Sequence, residues 1–328
     1  MSLYTWTDRW ADLPQEPLGW MHSGVAVIDG CVVVAHPGKP ALLHYGADGE
    51  LDGTVELEGL IEPHGFSSVR EGIWVGDVGF KRRVSGAEFS TEKANGRVVL
   101  VDGGGRVRQE LGDPGAGWSP TAVAVVEESG DVWVADGYGK SLVHRFAADG
   151  THLQTLSGDE GAGRFDCPHG VLVDRRRADP ELYISDRANA RIQVYGLDGR
   201  FRRLVGEGIV VTPTDMTIVG DTLALTDFTQ ARVTLLDGDD QLVEHIGANP
   251  DVQARDGWPN ARNASGDLVR PQLEPGKLNS PHTLAADAEG NLYVTEWLIG
   301  GRLTKLARQP DARSRPVVDS PPRVAPRG

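Results

Sequence analysis

The apolar residues of this chain come in short runs, four or five positions long, and each run ends at a Gly, Asp or Asn cluster. Cys31-Val32-Val33-Val34, Val98-Val99-Leu100-Val101 and Leu182-Tyr183-Ile184-Ser185 are typical. Such runs, rich in β-branched residues and bounded by turn residues, predict strands, and no long stretch carries a helical period. The runs belong to a larger unit that occurs six times. It comprises a small or polar residue, an inner strand, a turn, a second strand ending near Asp or Glu, then a third strand and, in most units, a DG turn. Counted at one equivalent position (Ser23, His64, Thr121, His169, Thr214, His282), successive units start 41, 57, 48, 45 and 68 residues apart. A four-stranded blade takes roughly 40–45 residues, so the chain predicts an all-β, six-bladed β-propeller with insertions in the second, third and fifth intervals.

The sixth unit lacks a fourth strand of its own. Leu3-Tyr4-Thr5-Trp6 is expected to supply it and close the ring. Residues 1–308 thus read as one propeller domain, and 309–328, rich in Pro and Arg, as a disordered tail. The long insertion at 247–276, rich in Asn, Asp, Pro and Gly, reads as a surface loop and a candidate lid over one mouth of the channel.

In a propeller the inner strand of each blade lines the axis, so equivalent residues at its start form a ring. Histidine takes every second place in that ring, at His64, His169 and His282, each preceded by Pro. Alternate blades stand about 120° apart, so three imidazoles point to one centre and leave a coordination position open, the layout of a catalytic zinc site. Imidazole ligation favours Zn²⁺ and also admits Fe²⁺ or Mn²⁺. A lone Pro-His-Gly step also serves simply to start a strand; strict alternation around six positions argues for the metal. A second ring follows the second strands, at Asp77, Asp136, Asp186, Asp227 and Glu296, where the carboxylate is expected to anchor a tight turn. Just beyond two of these stand Tyr138 and Arg187, a phenol for proton transfer and a guanidinium for a carboxylate. On spacing alone they read equally as a rim tyrosine and a surface arginine.

Composition narrows the partners. A net charge of −14 argues against a broad nucleic-acid footprint, and no apolar run reaches the length of a membrane helix. The basic clusters Lys81-Arg82-Arg83 and Arg175-Arg176-Arg177 read as solvated loops. Two distant cysteines, Cys31 and Cys167, match no metal or redox spacing, and the amino terminus has no secretory pattern, so a cytoplasmic location is expected.

The fourth unit carries an NHL-repeat signature. Three words of the chain resemble the peptidylglycine α-hydroxyglycine amidating lyases (peptidyl-amidoglycolate lyases). They are Val134-Ala135-Asp136-Gly137-Tyr138, Gly163-Arg164-Phe165 leading into Pro168-His169, and Asp186-Arg187-Ala188-Asn189-Ala190-Arg191-Ile192-Gln193. The resemblance places His64, His169 and His282 as zinc ligands and implies catalytic or substrate-binding roles for Tyr138 and Arg187. It implies cleavage of a carbinolamide, N–CH(OH)–COO⁻, to an amide and glyoxylate. The chain departs from the family pattern at several places. Thr283 stands where an Asp helps bind Ca²⁺, which makes a structural Ca²⁺ doubtful. Ser280 replaces a Met, Gly139 follows Tyr138 without the flanking disulfide, and a further family Arg has His36 as its nearest polar counterpart. With no secretion signal or copper monooxygenase half, peptide-hormone amidation is not expected. The functional expectation is therefore a metal-dependent lyase, or a hydrolase, acting on a small, polar, carboxylate-bearing substrate. The alternative is a non-enzymatic NHL-repeat scaffold that binds a protein or peptide. Lactonase-like propellers, with acidic and Asn ligands for calcium, do not fit the alternating histidines.

Overall fold

Six four-stranded antiparallel sheets stand radially around a central channel in this computed structural model, which describes residues 2–7, 10–22, 24–86 and 88–309. The tail expected to be disordered lies, from residue 310 onward, outside the described residues, as does Ser23 of the axial ring. From axis to rim, blade 1 runs Val25–Ile28, Cys31–Ala35, Ala41–Tyr45 and Leu51–Glu56. Blade 4 runs Pro168–Asp174, Glu181–Asp186, Arg191–Gly196 and Phe201–Val205, and blades 3 and 5 repeat the same meander. In blade 6 the inner strands Pro281–Ala286, Leu292–Glu296 and Arg302–Arg308 are completed by Tyr4–Thr7, which pairs antiparallel with the last of them. The amino-terminal strand therefore closes the ring and gives that blade its fourth, outer strand. The described residues contain no helix long and apolar enough to cross a membrane.

The strand pattern follows from where each strand faces. Second strands are sandwiched between neighbouring blades and are buried at nearly every position, as in Val132–Asp136. Outer strands alternate exposed and half-buried residues, as in Leu51–Glu56. Six separate apolar clusters fill the wedges between successive blades. The wedge between blades 3 and 4, for example, packs Trp133, Ala135, Leu182, Ile184 and Tyr195 together, all essentially without solvent contact. A blade alone cannot bury both faces, so the stack is cooperative from wedge to wedge.

The insertions cluster at one mouth of the channel. Blade 2 places a hairpin, Phe80–Ser85 with Glu88–Lys93, between its second and third strands. The loop at 247–276 is a loop as expected, with a short 3-10 turn at Val252–Ala254 and a two-residue hairpin at Ala261–Arg262 and Leu268–Val269. It is tied down by Asn260, whose Oδ1 accepts the Ile299 N–H at 3.0 Å. Both basic clusters depart from the solvated reading. Lys81 and Arg176 are each only 1% exposed in their side chains, because each meets carboxylates inside the protein: Glu62 for Lys81, and Asp174 and Asp240 for Arg176.

Candidate metal centre

The site begins with the carboxylate that ends each second strand. Asp77 accepts the Ile61, Glu62 and Gly79 N–H groups, and Asp136 those of Ser119 and Lys140. Asp186 accepts the Asp166 N–H, Asp227 that of Thr212, and Glu296 those of Asn279 and Ser280. Each thereby fixes the segment that enters the inner strand, as expected of the repeated acid. In blades 2, 4 and 6 the step that follows is a β-bulge. Pro63 pairs with Asp77 but Gly65 with Gly76, Pro168 with Asp186 but Gly170 with Ser185, and Pro281 with Glu296 but Thr283 with Thr295. The residue skipped each time is the histidine, and a bulge re-aims its side chain toward the axis.

Glycine follows two of these histidines for a steric reason. A Cβ on Gly65 would lie 2.6 Å from the Ala122 Cα, and one on Gly170 2.6 Å from the Thr214 carbonyl oxygen. That close approach of adjoining blades serves the site. His64 Nδ1 lies 2.6 Å from the Thr121 carbonyl, and His169 Nδ1 lies 3.1 Å from that of Thr214. Since a carbonyl only accepts, both rings carry their proton on Nδ1 and turn the Nε2 lone pair to the channel.

The three imidazoles form a near-equilateral triangle. Their ring centroids are 4.9 Å (His64–His169), 4.8 Å (His64–His282) and 4.9 Å (His169–His282) apart. A fourth imidazole, His22, stands against them, 4.5 Å from His64 and 4.7 Å from His282. One ligand atom from each of the four lies within 4.8 Å of the others, and all four residues are buried. The sequence reading missed His22. It occupies the place that Pro holds in the other five units, and it reaches the axis by tertiary contacts. Met21 N–H donates to the Leu298 carbonyl at 2.8 Å, and the Trp20 carbonyl accepts from Lys81 Nζ at 3.0 Å. Lys81 is itself paired with Glu62, whose carboxylate takes the His22 N–H. The one signal in the chain was a histidine beside an axial position in a unit that lacks its proline.

The donor set fits a metal ion. His64 Nε2 and both nitrogens of His282 are buried without a hydrogen-bond partner among the described residues, a costly arrangement unless something binds them. Desolvation holds all four rings neutral, pushing His64 down to about 3 and His22, His169 and His282 well below the usual imidazole range. Neutral imidazoles are the ligating form. Four converging histidines are thus a metal-binding cluster, and three of them are the Pro-His steps.

Tyr138 and Arg187 both reach this cluster. The Tyr138 oxygen is 2.9 Å from His169 Nε2 and 2.9 Å from His22 Nε2, and Arg187 donates to it at 3.2 Å. With the His169 proton on Nδ1, the phenol donates to His169 and accepts from His22 and Arg187. Burial pushes the phenol up to about 12, and the Arg187 charge opposes that rise. Arg187 also contacts the Cys167 thiol and lies over the Tyr138 ring at 5.3 Å. His36 is not part of the site: its Nδ1 accepts the Gly38 N–H at 2.9 Å and caps its own turn. Arg82, from the blade 2 hairpin, lines the mouth with Arg187. Thr283, where the resemblance expected an Asp, hydrogen-bonds Thr295 at 2.7 Å. Above the cluster opens a cavity of about 480 Å³ whose walls include Trp20, Phe80, Phe228 and Trp297.

Comparison with known proteins bears on the fold and on part of the sequence. No family model matches the chain. A 139-residue stretch, 40% of the chain, is 32% identical to peptidyl-glycine alpha-amidating monooxygenase B of Xenopus laevis, of which it covers 15%. Similarity of 26% over 247 residues, 71% of the chain and 61% of the relative, links it to a Caenorhabditis elegans protein named "Probable peptidyl-alpha-hydroxyglycine alpha-amidating lyase". The chain therefore spans only a small part of the length of the amidating monooxygenases it matches. Among solved structures, a streptogramin B lyase superposes with a TM-score of 0.57 at 11% identity, covering 93% of this chain and 98% of that one. A gluconolactonase from Xanthomonas campestris superposes at 0.60 with 14% identity, covering 93% and 90%. The chain is a six-bladed β-propeller, similar over part of its sequence to the amidating monooxygenases and in fold to a streptogramin B lyase, and its histidine cluster is one that can hold a metal ion.

Proposed function

We propose that the protein is a zinc-dependent lyase of the amidating type, cleaving a small carbinolamide that carries a carboxylate. The observation that carries this reading is the convergence of three imidazoles with the Tyr138 oxygen beside them, 3.2 Å from the Arg187 guanidinium; an ion on His169 Nε2 would take the lone pair that the phenol now meets. His64, His169 and His282 would hold the metal, with His22 as a fourth donor. A bound divalent ion supplies a Lewis acid that lowers the pKa of a hydroxyl placed on it.

The chain's own residues account for the remaining steps. Arg187 has no ion-pair partner among the described residues, so its guanidinium is available to the substrate carboxylate as well as to the Tyr138 oxygen. Tyr138, once its own proton has passed to solvent, takes the carbinol proton as a phenolate; the electron pair left on the carbinol oxygen forms the aldehyde C=O as the C–N bond breaks. The phenol then returns the proton to the departing amide nitrogen, so the step balances without an oxidant or a water. Arg187 favours the transient phenolate by its charge. The products are an amide and glyoxylate.

The test is metal analysis of the full chain after metal-replete expression, followed by glyoxylate release from an N-acyl-α-hydroxyglycine. One equivalent of zinc and stereoselective glyoxylate formation are expected. Substoichiometric zinc, iron and manganese, or a fully loaded protein that releases no glyoxylate, would overturn the proposal.

A further inference from the structure

Four aromatic side chains from four different parts of the chain line the cavity over the histidine cluster. Trp20 comes from the amino-terminal arm, Phe80 from the blade 2 hairpin, Phe228 from the turn after Asp227 and Trp297 from the turn after Glu296. Trp20 and Trp297 are stacked, with centroids 4.8 Å apart, and Phe228 tilts against Trp297 at 5.7 Å. Phe80 packs 5.7 Å from Tyr138 and 5.9 Å from His22 on the other flank. These rings are supported from behind: Trp258 of the long insertion backs Phe228 at 5.1 Å, and its indole N–H donates to the Asn279 carbonyl at 3.0 Å. The mouth is therefore walled by aromatic faces.

Two cations share the same cavity. The guanidiniums of Arg82 and Arg187 have no carboxylate within ion-pair distance among the described residues, and Arg82 lies 5.9 Å from the centre of the Trp20 ring. The one carboxylate on the wall, Glu62, is engaged by Lys81. A cavity of about 480 Å³ is of the size that encloses a small organic molecule. Aromatic walls favour a flat apolar group, and unpaired guanidiniums favour an anion.

We infer that this mouth selects acyl-glycine-type ligands whose acyl group is aromatic, seated between the Trp20–Trp297 stack and Phe80, with the carboxylate toward Arg82 and Arg187. This rests on the proposed activity only in taking the ligand as an N-acylated glycine. It adds the part of the substrate that the metal and Tyr138 do not touch.

The experiment titrates the zinc-loaded full chain with N-benzoylglycine and with N-acetylglycine, followed by calorimetry and by the fluorescence of the wall tryptophans. Neither ligand carries the carbinol hydroxyl, so binding is read apart from turnover. N-benzoylglycine is expected to bind at least tenfold more tightly and to perturb the tryptophan emission. In Trp297→Leu that ratio is expected to fall below about three. Phe80→Ala serves as the second variant should Trp297→Leu fold poorly, since Phe80 lies on the hairpin outside the blade core. Equal affinities, no binding of either ligand, or a preference retained in both variants would overturn the inference. A clear benzoyl preference with no glyoxylate from N-benzoyl-α-hydroxyglycine would refute the lyase reading while leaving this one standing. Turnover without the preference would do the reverse.

Discussion

Replacing Lys81 by Met should loosen the metal centre without touching any residue that would ligate the ion. The Lys81 ammonium lies 2.9 and 2.7 Å from the two Glu62 carboxylate oxygens and donates to the Trp20 carbonyl at 3.0 Å. Both side chains are essentially without solvent, at 1% and 2% exposure. Burial pushes Glu62 up to about 8 and Lys81 down, each toward its neutral form, while their mutual attraction opposes both shifts. Such a pair is weak support for stability as a whole, yet breaking it from one side typically costs about 3–5 kcal/mol, because the buried carboxyl left behind loses its partner and must either stay charged or take up a proton. For a domain of this size that corresponds to a fall in Tm of roughly 6–10 °C.

The consequence for the site distinguishes this from ordinary destabilisation. Glu62 and Lys81 grip both ends of the Trp20–His22 segment, one through the His22 N–H and the other through the Trp20 carbonyl. Loss of a group that orients a ligand commonly lowers metal affinity by about 10–100-fold. Lys81→Met should therefore weaken zinc binding by that range in competition with a chromophoric chelator. The double variant Lys81→Met/Glu62→Gln removes the stranded charge while keeping an acceptor for His22. It should regain most of the lost Tm but not the zinc affinity, because the Trp20 carbonyl still lacks its donor. A single variant with unchanged Tm and unchanged zinc affinity would refute the reasoning. Recovery of both quantities in the double variant would show that charge burial alone, and not the arm, was responsible.

Other expectations follow from the same contacts. Tyr138→Phe removes the hydroxyl that bridges His22, His169 and Arg187, and glyoxylate release should fall by about 10²–10⁴-fold with zinc stoichiometry unchanged; full turnover would remove the phenol from proton transfer. Gly170→Ala would force a Cβ toward the Thr214 carbonyl that orients His169, so a loss of about 1–3 kcal/mol in urea unfolding and weaker zinc binding are expected. His144, buried in blade 3 beside His152, is pushed down to about 4 chiefly by desolvation, with the His152 charge second. Its folded pKa lies below the unfolded one, so its contribution is complete above pH 6.5 and is lost as pH falls toward 4. Between pH 7 and 5 this amounts to about 2 kcal/mol, which His144→Gln should remove from the pH dependence of urea unfolding.

The propeller and its axial triad were legible because they are written periodically. Six units with one grammar predict six blades, and a histidine at every second equivalent position predicts three imidazoles at one level. Even the steric logic was local: Gly65 and Gly170 stand beside their histidines in sequence and permit the blade contact that orients them. His22 could not be read in this way. Its unit has no Pro-His step, and what carries it to the axis is a buried ion pair between residues 62 and 81, brought together by the blade 2 hairpin. The basic clusters misled for the same reason. A run such as Lys81-Arg82-Arg83 looks uniformly solvated, but alternate side chains of a hairpin face opposite ways, so Lys81 enters the interior while Arg82 turns to the mouth.

That division between periodic and aperiodic information has a chemical consequence. The repeats supply what any metal-dependent propeller of this type requires: three ligands, the bulges that aim them, and a neutral, desolvated floor. Much of the wall over that floor comes from segments that break the repeat, set against Arg187, Phe228 and Trp297 from the turns that follow the repeated acid. The amino-terminal arm brings Trp20 and His22, the blade 2 hairpin brings Phe80 and Arg82, and the 247–276 insertion brings Trp258 behind Phe228. Exchanging the wall residues of these segments between relatives, with His22 and Lys81 kept, should therefore change the preferred acyl group while leaving the metal in place. Substitutions in the Pro-His steps should abolish metal binding whatever the acyl group. The fold is shared with a streptogramin B lyase and a gluconolactonase, so what separates one ligand from another is expected in the turns and inserted segments around one mouth rather than in the blades.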